Sequence, residues 1–309
     1  MKNFVSLIVA FLFTLTCTAS EPVAVLSINV RCSTAGDGEN AWSKRKDFMM
    51  DVVRQGNYDF IGGQEVVVHP NDDVNQYKFM GEKLSEYGSI FLSREKDPMK
   101  GEGTPVFYRK DRWELDAEEH GTFWLSDTPN EPGAVTWKGQ STCPRVVSWG
   151  LFHELVKDSK RTSQAIYVFN THFDHVGEMP RQKAANMILQ RISERKQQQV
   201  PAVLMGDLNC GEKSPSIRFL LGETVVLDGV ECKPPFGLID TFRTVHSDAT
   251  DVGTFHGFSE RVSANKIDYI LVSDGLKATD AEIIRTKNAE GRYPSDHFPI
   301  RAVVKFENN

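Results

Sequence analysis

The stretch that most constrains this chain is Val203-Leu204-Met205-Gly206-Asp207-Leu208-Asn209. A short apolar run of strand type ends in a glycine, and an acid and an amide follow two positions apart. Alternation along an extended chain puts Asp207 and Asn209 on the same side. Gly206 lets the backbone turn or approach a ligand closely. Taken alone, the pair reads equally well as an Asx turn at the surface. It gains weight because other strand-type runs of this chain carry polar groups at their boundaries too.

The residues from Pro22 to Val30 form an apolar, β-branched run, read as a buried strand with Asn29 near its far end. A second strand, Asp59 to Val66, ends in Gln64-Glu65. Val146 to Leu155 and Gln164 to Thr171 read as successive strands, the latter running into His172-Phe173-Asp174-His175. Asp268 opens the strand Ile267 to Val272, and Asp296-His297 precede the last strand, Pro299 to Phe306. Phe48, Met49, Val52 and Val53 recur at helical spacing, as do Ala184, Ala185, Ile188, Leu189 and Ile192 after Pro180. Trp113 to Leu125 reads as a hairpin broken at Gly121. Pro105 marks Val106 to Arg109 as an edge strand or a strand start. No repeats or charge-rich linkers interrupt the pattern, so a single domain is expected over residues 21–309.

At 309 residues with 40% hydrophobic content, the chain can bury a large core. Residues 1–20 read as a cleaved secretory signal: Lys2 precedes an apolar run from Phe4 to Leu15, and Thr18-Ala19-Ser20 offers small residues for a signal peptidase. An exported protein, periplasmic or extracellular, is expected. Cys17 offers a lipoprotein alternative, but Thr14-Leu15-Thr16 before it is a poor lipidation site. No later stretch is long and apolar enough to span a membrane. No pair of cysteines has the spacing of a zinc knuckle. The net charge of -6, with no long Lys/Arg cluster, lacks the footprint of a non-specific nucleic-acid binder. It leaves room for a nuclease whose metal supplies the positive charge.

In a mixed sheet the ends of some strands lie beside the starts of others. Asn29, Glu65, His172, Asp207, Asn209, Asp268 and Asp296-His297 can therefore share one rim. Such a cluster repels itself unless a cation sits in it. Oxygen ligands without cysteine select a hard cation, magnesium before manganese or calcium. The chemistry that follows is metal-assisted phosphoester hydrolysis. Glu65 with Asn29 holds the ion, and Asp207, positioned by Asn209, activates the attacking water. His297, polarised by Asp268, and His172 donate hydrogen bonds to phosphate oxygens. Each residue alone has an ordinary reading as a cap or a surface group. Two competing functions are a catalytically inactive phosphate- or partner-binding module on the same fold and a glycosidase acid/base pair. The glycosidase does not account for the asparagines.

Ile28-Asn29, Gln64-Glu65, Asn170-Thr171-His172, Gly206-Asp207-Leu208-Asn209, Ile267-Asp268-Tyr269 and Ser295-Asp296-His297 occur in an order that resembles the endonuclease/exonuclease/phosphatase (DNase I-like) superfamily. The resemblance implies an α/β fold: a four-layer α/β/β/α sandwich, two packed mixed β-sheets flanked by helices. It also implies a divalent metal, with Glu65 as chief ligand, Asn29 alongside and Asp296 joining them. Glu102 is then the candidate carboxylate supporting His172. The chain is most similar to secreted bacterial members marked by Gly121-Thr122-Phe123-Trp124-Leu125-Ser126, Thr171-His172-Phe173-Asp174-His175 and Gly253-Thr254-Phe255-His256-Gly257-Phe258. By that likeness Trp124, Asp174, His175 and His256 line a substrate pocket. Nucleic acid, a phospholipid headgroup and a sugar phosphate all remain candidate substrates, and a monomer is expected.

Overall fold

A computed structural model describes residues 21–156, 160–227 and 229–307; the expected signal peptide lies outside them. The chain runs out along β1 (Val23–Asn29), crosses through helix α1 (Trp42–Gln55) and returns beside its start as β2 (Phe60–Gln64). An excursion follows through β3 (Val66–Val68), α2 (Gln76–Lys83), β4 (Tyr87–Ile90), β5 (Gly101–Gly103) and β6 (Val106–Arg109). The long strands β7 (Trp113–Trp124) and β8 (Val146–Val156) lead to a second crossover, built from β9 (Lys160–His172), α3 (Glu178–Ser193) and β10 (Ala202–Asp207). Short elements come next: α4 (Pro215–Leu220), the ribbon β11 (Val225–Leu227) and β12 (Val230–Cys232), β13 (Ile239–Asp240) and α5 (Thr241–Val245). The chain ends with β14 (Asp268–Val272), β15 (Leu276–Ile283) and β16 (Ile300–Phe306).

Two six-stranded sheets result, ordered β15-β16-β1-β2-β6-β4 and β13-β14-β10-β9-β8-β7. Each contains one parallel pair at its centre, β1/β2 in the first and β9/β10 in the second, and every other pairing is antiparallel. A parallel pair needs a crossover, and α1 and α3 supply the two. Alternation divides the central strands between layers. Val23, Val25, Val203 and Met205 meet in the core between the sheets. Leu26 and Ile28 pack outward with Met49, Met50 and Val53 of α1. Ala202 and Leu204 pack outward with Ala184, Ala185, Ile188 and Ile192 of α3. These strands are buried on both faces, so they read as continuous apolar runs. The architecture is the expected four-layer sandwich.

A polar bridge joins the sheets directly beneath the rim where the parallel strands end. Asn170 of β9, fully buried, donates from Nδ2 to the carbonyls of Gly63 and Pro105, at 2.8 Å each, and accepts from Gln64 Nε2 at 2.7 Å. Asn170 requires close approach, and Gly62 permits it: a Cβ there would fall 2.8 Å from the Asn170 side chain.

One local expectation needs correction, and one pair of alternatives is decided. Trp113–Trp124 is one strand, not a hairpin: Gly121 pairs with Trp149 in an unbroken ladder, and the irregularity is a register shift between Leu115 and His120. β6 lies between β2 and β4, so Pro105 marks a strand start rather than a sheet edge. Its missing N–H falls just before the ladder with β4 begins at Val106. No helix among the described residues is long and apolar enough to cross a membrane.

Candidate active site

The carboxyl ends of the four parallel strands converge on one rim. β1 ends at Asn29, β2 at Gln64 with Glu65 next, β9 at His172 and β10 at Asp207. Their antiparallel neighbours begin there, and the register pairs Asp207 with Asp268 on one side and with His172 on the other. Asn29 Nδ2 bridges the sheets, donating to Glu65 Oε1 at 3.0 Å and to Asp207 Oδ2 at 3.1 Å. His297 presents Nδ1 to Asp268 Oδ2 at 2.9 Å, with Nε2 3.7 Å from Asp207 Oδ2. Asn209 donates its backbone N–H to Asp207 Oδ1 at 2.9 Å, and its Nδ2 to the Phe173 carbonyl and to His172 Nε2. The Phe173 carbonyl fixes which amide atom is nitrogen, so Nε2 of His172 accepts and Nδ1 carries the proton. That Nδ1 has no protein partner.

Two loops are stapled behind the rim. Arg45 of α1 donates to the carbonyls of Val30 at 2.6 Å, Arg31 at 2.7 Å and Pro294 at 3.1 Å. Ser295 Oγ donates to the Asn29 carbonyl at 2.6 Å. Asn29 and Asp296 are thereby held together from opposite ends of the sequence.

The electrostatics of the rim show an excess of buried negative charge. Burial, and then the Asp268 charge, push Asp207 above the usual carboxylate range. Burial likewise raises Asp296, with Glu65 adding to the effect. Burial would raise Glu65 too, but hydrogen bonds from Asn29 and the Cys32 N–H override it and hold it low. Burial would lower His297, yet Asp268 and Asp207 raise it to about 10, so it stands as imidazolium. His172 is the reverse: burial, then Arg145 and Arg94, hold it well below its ordinary value and keep it neutral. Glu65 and Asp296 form an oxygen-donor pair with surplus negative charge, which fits a hard divalent cation, while Asn29 turns Nδ2 to Glu65 and its Oδ1 accepts from the Arg31 N–H at 2.9 Å. Asp207, Asp268 and His297 also bring ligand atoms within 4.8 Å of one another. There the imidazole is already committed to a carboxylate, which makes this group a charge relay more than a cation seat.

Backbone strain is concentrated here. Among the described residues four non-glycine side chains sit at positive φ: Arg31 (55°), Glu65 (58°), Asn209 (50°) and Phe258 (59°). All four line one cleft of about 520 Å³, together with His172, Asp207, Asp296 and His297. Left-handed backbone costs about 1 kcal/mol or more per residue outside glycine, and it persists where surrounding structure over-determines it.

The sequence profile described as Endonuclease/Exonuclease/phosphatase family matches residues 26–297. The chain belongs to that family. Its members are phosphoester hydrolases, and divalent metals are in general use among them. Two solved structures are similar over nearly all of the chain. A family protein from Bacteroides vulgatus is 30% identical with a TM-score of 0.77, covering 93% of this chain and 100% of that one. The mannosyl-6-phosphatase of Bacteroides thetaiotaomicron is 28% identical with a TM-score of 0.74, covering 92% and 100%. The human Nocturnin catalytic domain, at 16% identity and a TM-score of 0.67 over 93% and 95%, shares the fold. No curated protein sequence matches.

The family's rim residues meet here, whereas several pocket candidates do not reach the cleft. Trp124 is buried and donates Nε1 to the Arg94 carbonyl at 2.7 Å. Asp174 caps turns, accepting from the N–H groups of Ser141, Val176 and Gly177. His256 is buried among Tyr293 and Phe298, with neither ring nitrogen in a hydrogen bond of normal geometry. His175 does line the cleft, receiving a hydrogen bond from Arg145 Nη2 at 2.7 Å. Glu102 lines it as well, but its carboxylate pairs with Arg94 Nη1 at 2.9 Å instead of supporting His172. Arg31, Arg94, Arg145, Phe255 and Phe258 also line it and were not singled out from sequence as site residues. Arg145 immediately precedes β8, the same kind of strand-boundary position that marked Asp268.

Proposed function

We propose that this family member is an exported, magnesium-dependent phosphoester hydrolase whose reaction centre is the strand-end rim. The observation that carries the reading is the facing of two sets across the cleft. Glu65 and Asp296 supply oxygen donors on one side, and the Asp207–His297–Asp268 and Asn209–His172 groups supply proton-handling atoms on the other. Glu65 and Asp296 would hold the ion, and Asn29 would orient Glu65 through Nδ2. When bound, the ion would offset phosphate charge and the charge developing on the leaving oxygen.

The chain's own residues do the rest. Asp207, fixed by the Asn209 N–H, orients a water and takes its proton. Imidazolium His297, anchored by Asp268, donates from Nε2 to a non-bridging phosphate oxygen. Neutral His172 donates from Nδ1, the ring held by Asn209. Sugar phosphate is the favoured substrate class among the three candidates, supported by the likeness to a mannosyl-6-phosphatase.

A chelator is expected to abolish turnover and added magnesium to restore it. Glu65→Ala should lower kcat/KM by about 10²–10³-fold, as loss of a principal electrostatic contact does. Phosphate release from a panel of esters measures both, and chelator-insensitive turnover would count against the reading. Export rests on the pattern of residues 1–20. Mass spectrometry of the protein from its native host should find the mature chain starting near Glu21; an intact Met1 terminus would remove export from the account.

A further inference from the structure

Resting on the phosphoester reading, we infer that a small cavity beside Glu65, built around Arg145, seats a terminal oxygen of a phosphomonoester and makes the enzyme select monoesters over diesters. The cavity holds about 10 Å³, room for one water-sized group. Glu65, Arg94, Glu102, Arg145 and His172 line both it and the large cleft, so an oxygen from a cleft-bound group can reach it.

Its walls carry an unusual share of unsatisfied donors. Among the described residues ten buried side-chain nitrogen or oxygen atoms lack a hydrogen-bond partner, and five belong to residues lining this cavity: Arg94 Nε, Thr104 Oγ1, Arg145 Nε and Nη1, and His172 Nδ1. All five can donate, and a buried charged donor without an acceptor is costly. Arg145 is only 3% exposed and has one hydrogen bond, through Nη2 to His175. Glu102 offsets one of the two guanidiniums by pairing with Arg94. Glu65 is the second carboxylate of the lining, but neither it nor Glu102 accepts from Arg145, whose Nε and Nη1 are left for an incoming oxygen.

Those open donors bear on which ester fits. A monoester carries close to two negative charges above its second pKa of about 6, and three terminal oxygens. A diester carries one charge, and a second of its oxygens bears a carbon substituent, so only two terminal oxygens remain. A one-oxygen seat lined by donors without acceptors suits the former and excludes the extra substituent of the latter.

The test compares 4-nitrophenyl phosphate with bis(4-nitrophenyl) phosphate in magnesium. The parent should favour the monoester in kcat/KM. Arg145→Gln should lower monoester kcat/KM by about 10²-fold, the effect of removing one donor aimed at an oxyanion, while changing the diester by less than about threefold. Arg145→Lys should restore part of the loss, because charge returns without the planar fork. Binding of inorganic phosphate, read by thermal shift in magnesium, should weaken about tenfold or more in Arg145→Gln. Because Arg145 is buried, Thr104→Val serves as a second variant of nearly equal volume and should weaken phosphate binding in the same direction. Equal losses on both esters, a parent that prefers the diester, or unchanged phosphate binding in folded variants would overturn the inference. A parent that turns over neither ester but still binds phosphate through Arg145 would instead sink the hydrolase reading and leave the oxygen seat standing.

Discussion

Asp207→Asn should lower kcat by about 10²–10⁴-fold on whichever ester is turned over, the range for loss of a positioned general base. The substitution keeps the shape of the side chain and an oxygen able to accept from the Asn209 N–H, but sets an amide nitrogen against Asn29 Nδ2, which donates to Asp207 Oδ2 at 3.1 Å. Burial and the Asp268 charge disfavour the ionised carboxylate. A carboxyl raised above its unfolded value costs stability as pH rises through that unfolded value and beyond, so the amide regains what the charge costs and loses the Asn29 hydrogen bond, and the melting temperature in chelator should change little. Kinetics and thermal denaturation of the same preparation check both halves. A variant that loses activity only because it unfolds would leave the role of Asp207 unproven, and one that retains kcat would move the base elsewhere.

Gly206→Ala is the second large effect, and it acts on stability. Gly206 sits at φ 149° near the end of β10, where an added Cβ would fall 2.0 Å from the Thr171 carbonyl oxygen of the parallel neighbour. Backbone is the obstacle, so no rotamer change relieves it. The expected cost is roughly 3 kcal/mol, or a melting temperature lower by about 6–12 °C. Activity should fall with it, because any shift of β10 against β9 displaces Asp207 from His172. Gly81, in α2 with nothing within 4 Å of its Cβ position, is the control: Gly81→Ala should be neutral or stabilise by about 0.4–1 kcal/mol. Thermal denaturation of the two side by side separates a specific close approach from a general intolerance of substitution.

These two residues also mark what the sequence made legible. Asp207 and Gly206 end a strand buried on both faces, and a continuous apolar run breaking into glycine and acid is a local signal. Asn29, Glu65, His172 and Asp268 were readable for the same reason, each sitting where a buried run stops or starts. The layer order was implied by the family resemblance, and the pattern agrees with it, since runs without a polar face demand cover on both sides. The cationic wall was not readable in this way. Arg31, Arg94 and Arg145 lie in connecting segments without periodicity, and their convergence depends on how the segment from Ile90 to Val106 folds over the rim. Glu102 illustrates the limit: the family resemblance named it as the support for His172, but its carboxylate pairs with Arg94, whose N–H also donates to the Glu102 carbonyl at 2.8 Å. Trp124, Asp174 and His256 fall in motifs that mark a group of relatives. Here those motifs hold loops in place, through an indole on a carbonyl, a carboxylate on three N–H groups and a ring stacked on Phe298.

The positive-φ residues join the fold to its chemistry. Arg31, Glu65, Asn209 and Phe258 are strained on four separate segments, and all face one cleft. Glu65 adopts left-handed backbone immediately after β2 and so turns its carboxylate back toward Asn29 and the Cys32 N–H. Asn209 does the same after β10 and reaches His172. The rigid inter-sheet bridge at Asn170 and the staples from Arg45 and Ser295 supply the over-determination that such strain requires.

The most direct test of the central claim is phosphate or alcohol release from a panel of esters by the protein and by Glu65→Ala, each titrated with magnesium after treatment with chelator. The account predicts turnover by the parent that vanishes in chelator and returns with magnesium, and a loss of about 10²–10³-fold in the variant. Turnover that persists in chelator, or that is equal in parent and variant, would contradict it.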